Sequence, residues 1–118
     1  MILQKSSFFT IKHIKQEEKG IAALLEINPG HTIFEGHFPG QPVVPGVCML
    51  QMIKEVAEKA LSRSLFLQEA AQIKYLQVLV PVAGAAVDLN IEWKTGLSFN
   101  ASLKEGEQTI MKMSGIFQ

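Results

Sequence analysis

The sequence predicts an α+β domain, an antiparallel sheet curled around one central buried helix, and three observations lead there. Several short stretches are rich in β-branched and aromatic residues or alternate polar with apolar. Only one long stretch, from Pro45 to about Leu61, contains nothing that breaks a helix. The first turns of that stretch are apolar almost all round, with Val47, Cys48, Met49, Leu50, Met52 and Ile53, which predicts burial on every side. A hairpin, a buried helix and then a meander form one core only if the sheet wraps the helix.

In chain order, residues 6 to 15 are rich in aromatic and β-branched residues and predict a first strand. Glu17-Glu18-Lys19-Gly20 turns the chain into a second strand, Ile21 to Ile27, completing a hairpin. Asn28-Pro29-Gly30 closes that strand, and the glycines and prolines of residues 31 to 46 predict an ordered loop. A connection of that length is usually functional. Proline is favoured at the first helical position, where Pro45 is expected. The second half of the helix is amphipathic, with Lys54, Glu55, Glu58 and Lys59 polar between Val56, Ala57, Ala60 and Leu61. After Ser62-Arg63-Ser64 come strand candidates at 65 to 80, 85 to 94, 97 to 104 and 108 to 117. In the second of these, Asp88, Asn90, Glu92 and Lys94 alternate with Val87, Leu89, Ile91 and Trp93, the period of a half-buried strand.

The 118 residues, 47% hydrophobic, suit a single domain over 1–118, so function must sit inside it or between copies of it. Eleven basic residues balance eleven acidic ones, leaving no basic field to gather nucleic-acid phosphates. The stretch Met1-Ile2-Leu3-Gln4-Lys5-Ser6 lacks the pattern of a secretory signal, and no apolar run approaches the roughly 20 residues that span a bilayer. A single cysteine, Cys48, cannot form an internal disulfide. A cytoplasmic protein without membrane or nucleic-acid partners is expected.

The chemistry concentrates in Gly36-His37-Phe38-Pro39-Gly40-Gln41-Pro42-Val43-Val44-Pro45-Gly46-Val47. The first N–H groups of any helix lack an internal partner. Pro45 has no N–H, so the Gly46 amide is the first free donor, and glycine lets a ligand approach closely. That is the design of an oxyanion hole, assisted by the helix dipole. His37 lies in a loop stiffened by Pro39 and Pro42 and is the natural general base, because imidazole titrates near working pH.

The same stretch closely resembles the signature of bacterial β-hydroxyacyl-acyl-carrier-protein dehydratases of the FabZ/FabA type. Asn28 to Glu35 and Tyr75-Leu76-Gln77-Val78-Leu79-Val80-Pro81 also fit that pattern. The resemblance implies a hotdog fold and a site for an acyl thioester at the start of the central helix. It implies that His37 takes the α-proton of a 3-hydroxyacyl chain, with Phe38, Pro39, Gly40, Val47 and Leu50 around the substrate. It implies as partner an acyl carrier protein, with coenzyme A as substitute carrier, and a homodimer or trimer of dimers in which different protomers contribute to one site. No cofactor or metal is implied.

One departure bears on the reaction. In the enzymes resembled, a carboxylate fourteen residues after the motif histidine protonates the departing hydroxyl, and here that position is Gln51. The residue one turn further, typically glutamine there, is Glu55, so amide and carboxylate are exchanged along one helix face. Three readings stay open. Glu55 supplies the acid from one pitch away, about 5–6 Å, through a water or an altered pose, in a dehydratase. Alternatively the site hydrolyses the thioester, as related hotdog thioesterases do. In the third reading it binds acyl thioesters without turnover, as a partner subunit, with Glu55 a solvated residue paired with Lys59. Val82 and Ala83 also replace a frequent Gly-Asp turn. Cys48 is expected to be a buried structural thiol, and Met49 and Met52 core or tunnel lining. His13 and His31 are expected to be structural or exposed.

Overall fold

A computed structural model describes residue 3, residues 7–36 and residues 42–118. Six strands, β1 (Phe9–Glu17), β2 (Gly20–Ile27), β3 (Leu67–Tyr75), β4 (Ala86–Trp93), β5 (Ser98–Glu105) and β6 (Gln108–Phe117), form one sheet. Two helices, α1 (Ile33–Gly36) and α2 (Gly46–Leu61), lie between β2 and β3. The strand order is β1-β2-β4-β5-β6-β3, and every neighbouring pair is antiparallel. The last strand made therefore separates β5 from β3, which lies at the sheet edge.

Alternation decides which way each strand faces. In β4, Val87, Leu89 and Ile91 are buried while Asp88, Asn90 and Glu92 are exposed. In β5, Phe99, Ala101 and Leu103 turn inward. These residues and Ile21, Leu25 and Met111 surround α2, whose Met52, Ile53, Val56 and Ala57 are almost fully buried. Each large apolar side chain so buried contributes about 1.5–3 kcal/mol. At one end of the sheet, Phe99 stacks on Phe117 at 4.5 Å between ring centroids, with Trp93 edge-on to both. Among the described residues no helix is long and apolar enough to cross a membrane.

Four features differ from the sequence-based expectations. The first strand begins at Phe9 because Ser7 is held at φ 62°, a left-handed conformation that stops an extended chain. The loop after β2 contains the single turn α1, nucleated by Asn28 and His31 as described below. The strand expected to reach residue 80 ends at Tyr75. There the Ile110 carbonyl accepts N–H bonds from both Leu76 (2.8 Å) and Gln77 (3.2 Å), and the chain leaves β6. The start of α2 is not buried on every side, since Val47 is 72% exposed and Leu50 half-buried. This first turn lies at the margin of the core beside Tyr75, whereas Glu55, expected on the polar side, is fully buried.

Candidate active site

Two polar side chains organise the approach to the motif. The Asn28 carboxamide donates to the Ser7 carbonyl (3.0 Å) and accepts the Gly30 N–H (2.9 Å), fixing an Asx turn. His31 Nδ1 accepts the Ile33 N–H at 3.1 Å, which caps α1 and places the ring proton on Nε2. Phe34 of α1 is buried against Phe8, 5.6 Å between ring centroids, and His31 meets the same ring edge-on at 5.4 Å. His31 is thus half-buried and holds the turn that leads to the motif.

His37, Phe38, Pro39 and Gly40 lie outside the described residues. The chain is described again from Pro42, where residues 42–45 have no regular secondary structure and the Val44 N–H donates to the Leu79 carbonyl at 2.8 Å. Pro45 is the N-cap of α2, with φ −62° and ψ 145°, one position earlier in the helix frame than its expected place. Its carbonyl accepts the N–H groups of Cys48 (3.0 Å) and Met49 (3.3 Å). The N–H groups of Gly46 and Val47 have no acceptor among the described residues, and Pro45 offers no side-chain cap. Two donors without an acceptor among the described residues and the positive end of the helix dipole, about half a charge, therefore meet at this point.

Gly46 is required here for a reason the sequence did not show. A Cβ added to it would lie 2.6 Å from both Cζ and Oη of Tyr75. The space a side chain would take is occupied by the phenol ring, which strand β3, the element after α2 in the chain, delivers from the sheet edge. Sequence reasoning cited Tyr75 only as part of a pattern, since nothing local ties a strand end to a helix start.

Gln51 and Glu55 are brought together one turn apart on α2. Gln51 Nε2 donates to Glu55 Oε2 at 2.9 Å, and the Leu3 backbone N–H donates to the same oxygen at 2.8 Å. Glu55 has no exposed surface, and Gln51 is half-buried. A carboxylate accepts and does not donate, so it fixes which end of the Gln51 amide faces it and turns the Gln51 carbonyl elsewhere. Leu50 is half-buried and Val47 exposed on the same helix. Cys48 is buried, and burial pushes its thiol pKa up, as suits an inert core thiol.

Residues 13–114 match the model of the ApeI-like family, ApeI dehydratase. The chain is similar to the 3-hydroxyacyl-acyl-carrier-protein dehydratase FabZ of Hydrogenobaculum sp., 30% identical over 98 residues covering 83% of this chain and 56% of that protein. The FabZ of Thermus thermophilus is 38% identical over 50 residues, 42% of this chain and 35% of that protein. The chain thus spans between 35% and 56% of the length of these two relatives. Among solved structures, it is similar to the dehydratase heterocomplex ApeI:P from Xenorhabdus doucetiae, with a TM-score of 0.78 and 23% identity over 92% of this chain and 96% of that one. That likeness bears out the hotdog fold. With its match running from residue 13 to residue 114, the chain belongs to the ApeI-like dehydratase family.

Proposed function

We propose that the chain is a dehydratase of 3-hydroxyacyl thioesters carried by an acyl carrier protein or coenzyme A. Membership of a dehydratase family supports the reaction class. The structural observation that carries the reading is the open start of α2, where Gly46 and Val47 present N–H groups without acceptors among the described residues. A thioester carbonyl there receives a hydrogen bond from Gly46 as charge builds on its oxygen. His37 removes the α-proton. The C3–O bond then breaks, the carbon–carbon double bond forms, and the hydroxyl leaves as water once protonated.

Gln51 cannot supply that proton, because an amide is not an acid at working pH. One Nε2–H donates to Glu55, which fixes the orientation of the amide, and its carbonyl oxygen accepts a hydrogen bond from the C3 hydroxyl. Glu55 is the positioning residue. The proton comes from the His37 imidazolium formed in the first step, so one group acts as base and then as acid. Phe38, Pro39 and Gly40 continue the site from His37, with Val47 and Leu50 lining the acyl chain.

The edge strand β3 pairs only with β6 among the strands, and the segment after it exposes Leu76, Val78, Val80 and Val82. These features support a homodimer formed across that edge. A second reading draws on the buried Glu55: a hotdog chain of different sequence supplies the acid to the His37 and Gly46 of this one. The likeness to a heterocomplex supports that arrangement.

Mass spectrometry of a 3-hydroxyacyl carrier protein incubated with the wild type, His37→Ala and Glu55→Gln tests the reaction. Loss of one water with wild type, abolished in His37→Ala, is expected. Release of free acid moves the assignment to a thioesterase. Binding without turnover by the homomer moves it to a partner subunit.

A further inference from the structure

The bulge in β3 aims a phenol at the start of α2. The pairing of β3 with β6 shifts register between Ala71 and Lys74, where Gln72 adopts φ 52°. A bulge places an extra residue on one strand and re-aims the side chains that follow. Beyond it, Tyr75 pairs with Met111, and its ring lies over Gly46. A Cβ on Gly46 would stand 2.6 Å from the Tyr75 hydroxyl. With a carbon–carbon bond of about 1.5 Å, that hydroxyl is within about 4 Å of the Gly46 Cα.

Packing alone would need no hydroxyl, since phenylalanine fills the same space. The Tyr75 hydroxyl has no hydrogen-bond partner among the described residues, and the residue is 50% exposed, which leaves the hydroxyl accessible to a ligand. Partial burial pushes the phenol pKa above its ordinary value, so the group remains protonated, and a donor, at working pH.

We propose that the Tyr75 hydroxyl is a second hydrogen-bond donor to the thioester carbonyl oxygen, beside the Gly46 N–H, an inference that rests on the acyl-thioester reading above. A carbonyl oxygen has two lone pairs and accepts both donors. Both bonds strengthen as the α-proton leaves and the oxygen gains charge, so the contribution falls on kcat more than on KM. Tyr75 thereby explains two features at once: why position 46 is glycine, and why the residue facing it is tyrosine.

The test compares wild type with Tyr75→Phe, which keeps the ring and its contact with Gly46. The first readout is the infrared carbonyl stretch of bound hexanoyl-CoA labelled with carbon-13 at the carbonyl, a thioester without a 3-hydroxyl to eliminate. The second is dehydration of 3-hydroxyhexanoyl-CoA. The expected result is a carbonyl band shifted to lower frequency on wild type and less shifted on Tyr75→Phe. The expected fall in kcat is roughly 10- to 100-fold, with KM little changed. The same frequency and the same kcat in both proteins overturn the role of Tyr75 while leaving the dehydratase reading standing. If wild type binds the labelled probe but eliminates no water, the dehydratase reading fails, and the frequency difference alone decides Tyr75. If wild type does not bind the probe, both fall.

Discussion

Glu55 Oε2 accepts the side-chain amide of Gln51 at 2.9 Å and the backbone N–H of Leu3 at 2.8 Å, joining the helix to a residue 52 positions earlier. The carboxylate thus ties the start of the chain to the residue that occupies the usual acid position.

Replacing Glu55 with leucine removes the acceptor from both donors at a fully buried site. The two donors are part-buried, so each left without a partner costs at most about 1–3 kcal/mol. Urea unfolding should show a large loss of stability, and any folded fraction should lose dehydration activity more than thioester affinity. A stability equal to wild type would show that the two hydrogen bonds contribute nothing.

Gly46→Ala places a methyl group 2.6 Å from the Tyr75 ring carbon Cζ, inside contact distance, so the ring must move. Overpacking of this kind costs about 1–3 kcal/mol. Tyr75→Ala opens the same space, and the double variant should be less destabilised than the sum of the two single changes. Additive losses in a thermal or chemical unfolding cycle would refute the contact.

Burial raises the pKa of Cys48, so at alkaline pH the folded chain retains a proton that the unfolded chain has lost. By linkage, the contribution of Cys48 to stability is complete below the unfolded thiol's pKa and declines from about pH 8.5 upward. Denaturation measured between neutral pH and pH 10 should show a shallower alkaline decline in Cys48→Ala than in wild type. Identical slopes would remove the thiol from this effect.

Val78 is 68% exposed in the segment that follows the edge strand β3. If that edge joins two copies, Val78→Lys should shift sedimentation equilibrium from dimer to monomer with the fold intact by circular dichroism. An unchanged mass distribution would place the interface elsewhere.

The features legible in the sequence are those set by local pattern. Val87, Leu89 and Ile91 alternate with charged or amide residues, and that period alone gives β4 and its inward face. Pro45 and Gly46 mark the start of α2 to within one residue, because a residue without an N–H belongs where no helical donor is needed.

What escaped the sequence depends on contacts between distant segments. Glu55 is polar on a helix whose second half is amphipathic, and hydrogen bonds from the distant Leu3 N–H and from Gln51 accompany its burial. The end of β3 is invisible in the apolar run from Leu76 to Val80, because a shared carbonyl, that of Ile110, ends the pairing. The fit of Tyr75 against Gly46 joins a strand end to a helix start, which no residue spacing reports. The candidate residues Gly46, Gln51 and Glu55 and the donor role of the Gly46 amide are legible in the sequence; the hydrogen bond by which Glu55 orients the Gln51 amide is not.

The strand order gives the final residues an influence far from where they lie. Strand β3 is synthesised well before β6, its one neighbour in the sheet, and β6 occupies residues 108–117. Until those residues join the sheet, nothing fixes the register that sets Tyr75 opposite Met111 and over Gly46. A nascent chain stopped at Glu105 would carry every residue of the proposed acyl site and still lack its geometry. Competence to bind a thioester should therefore appear abruptly during synthesis, on completion of the β5–β6 hairpin.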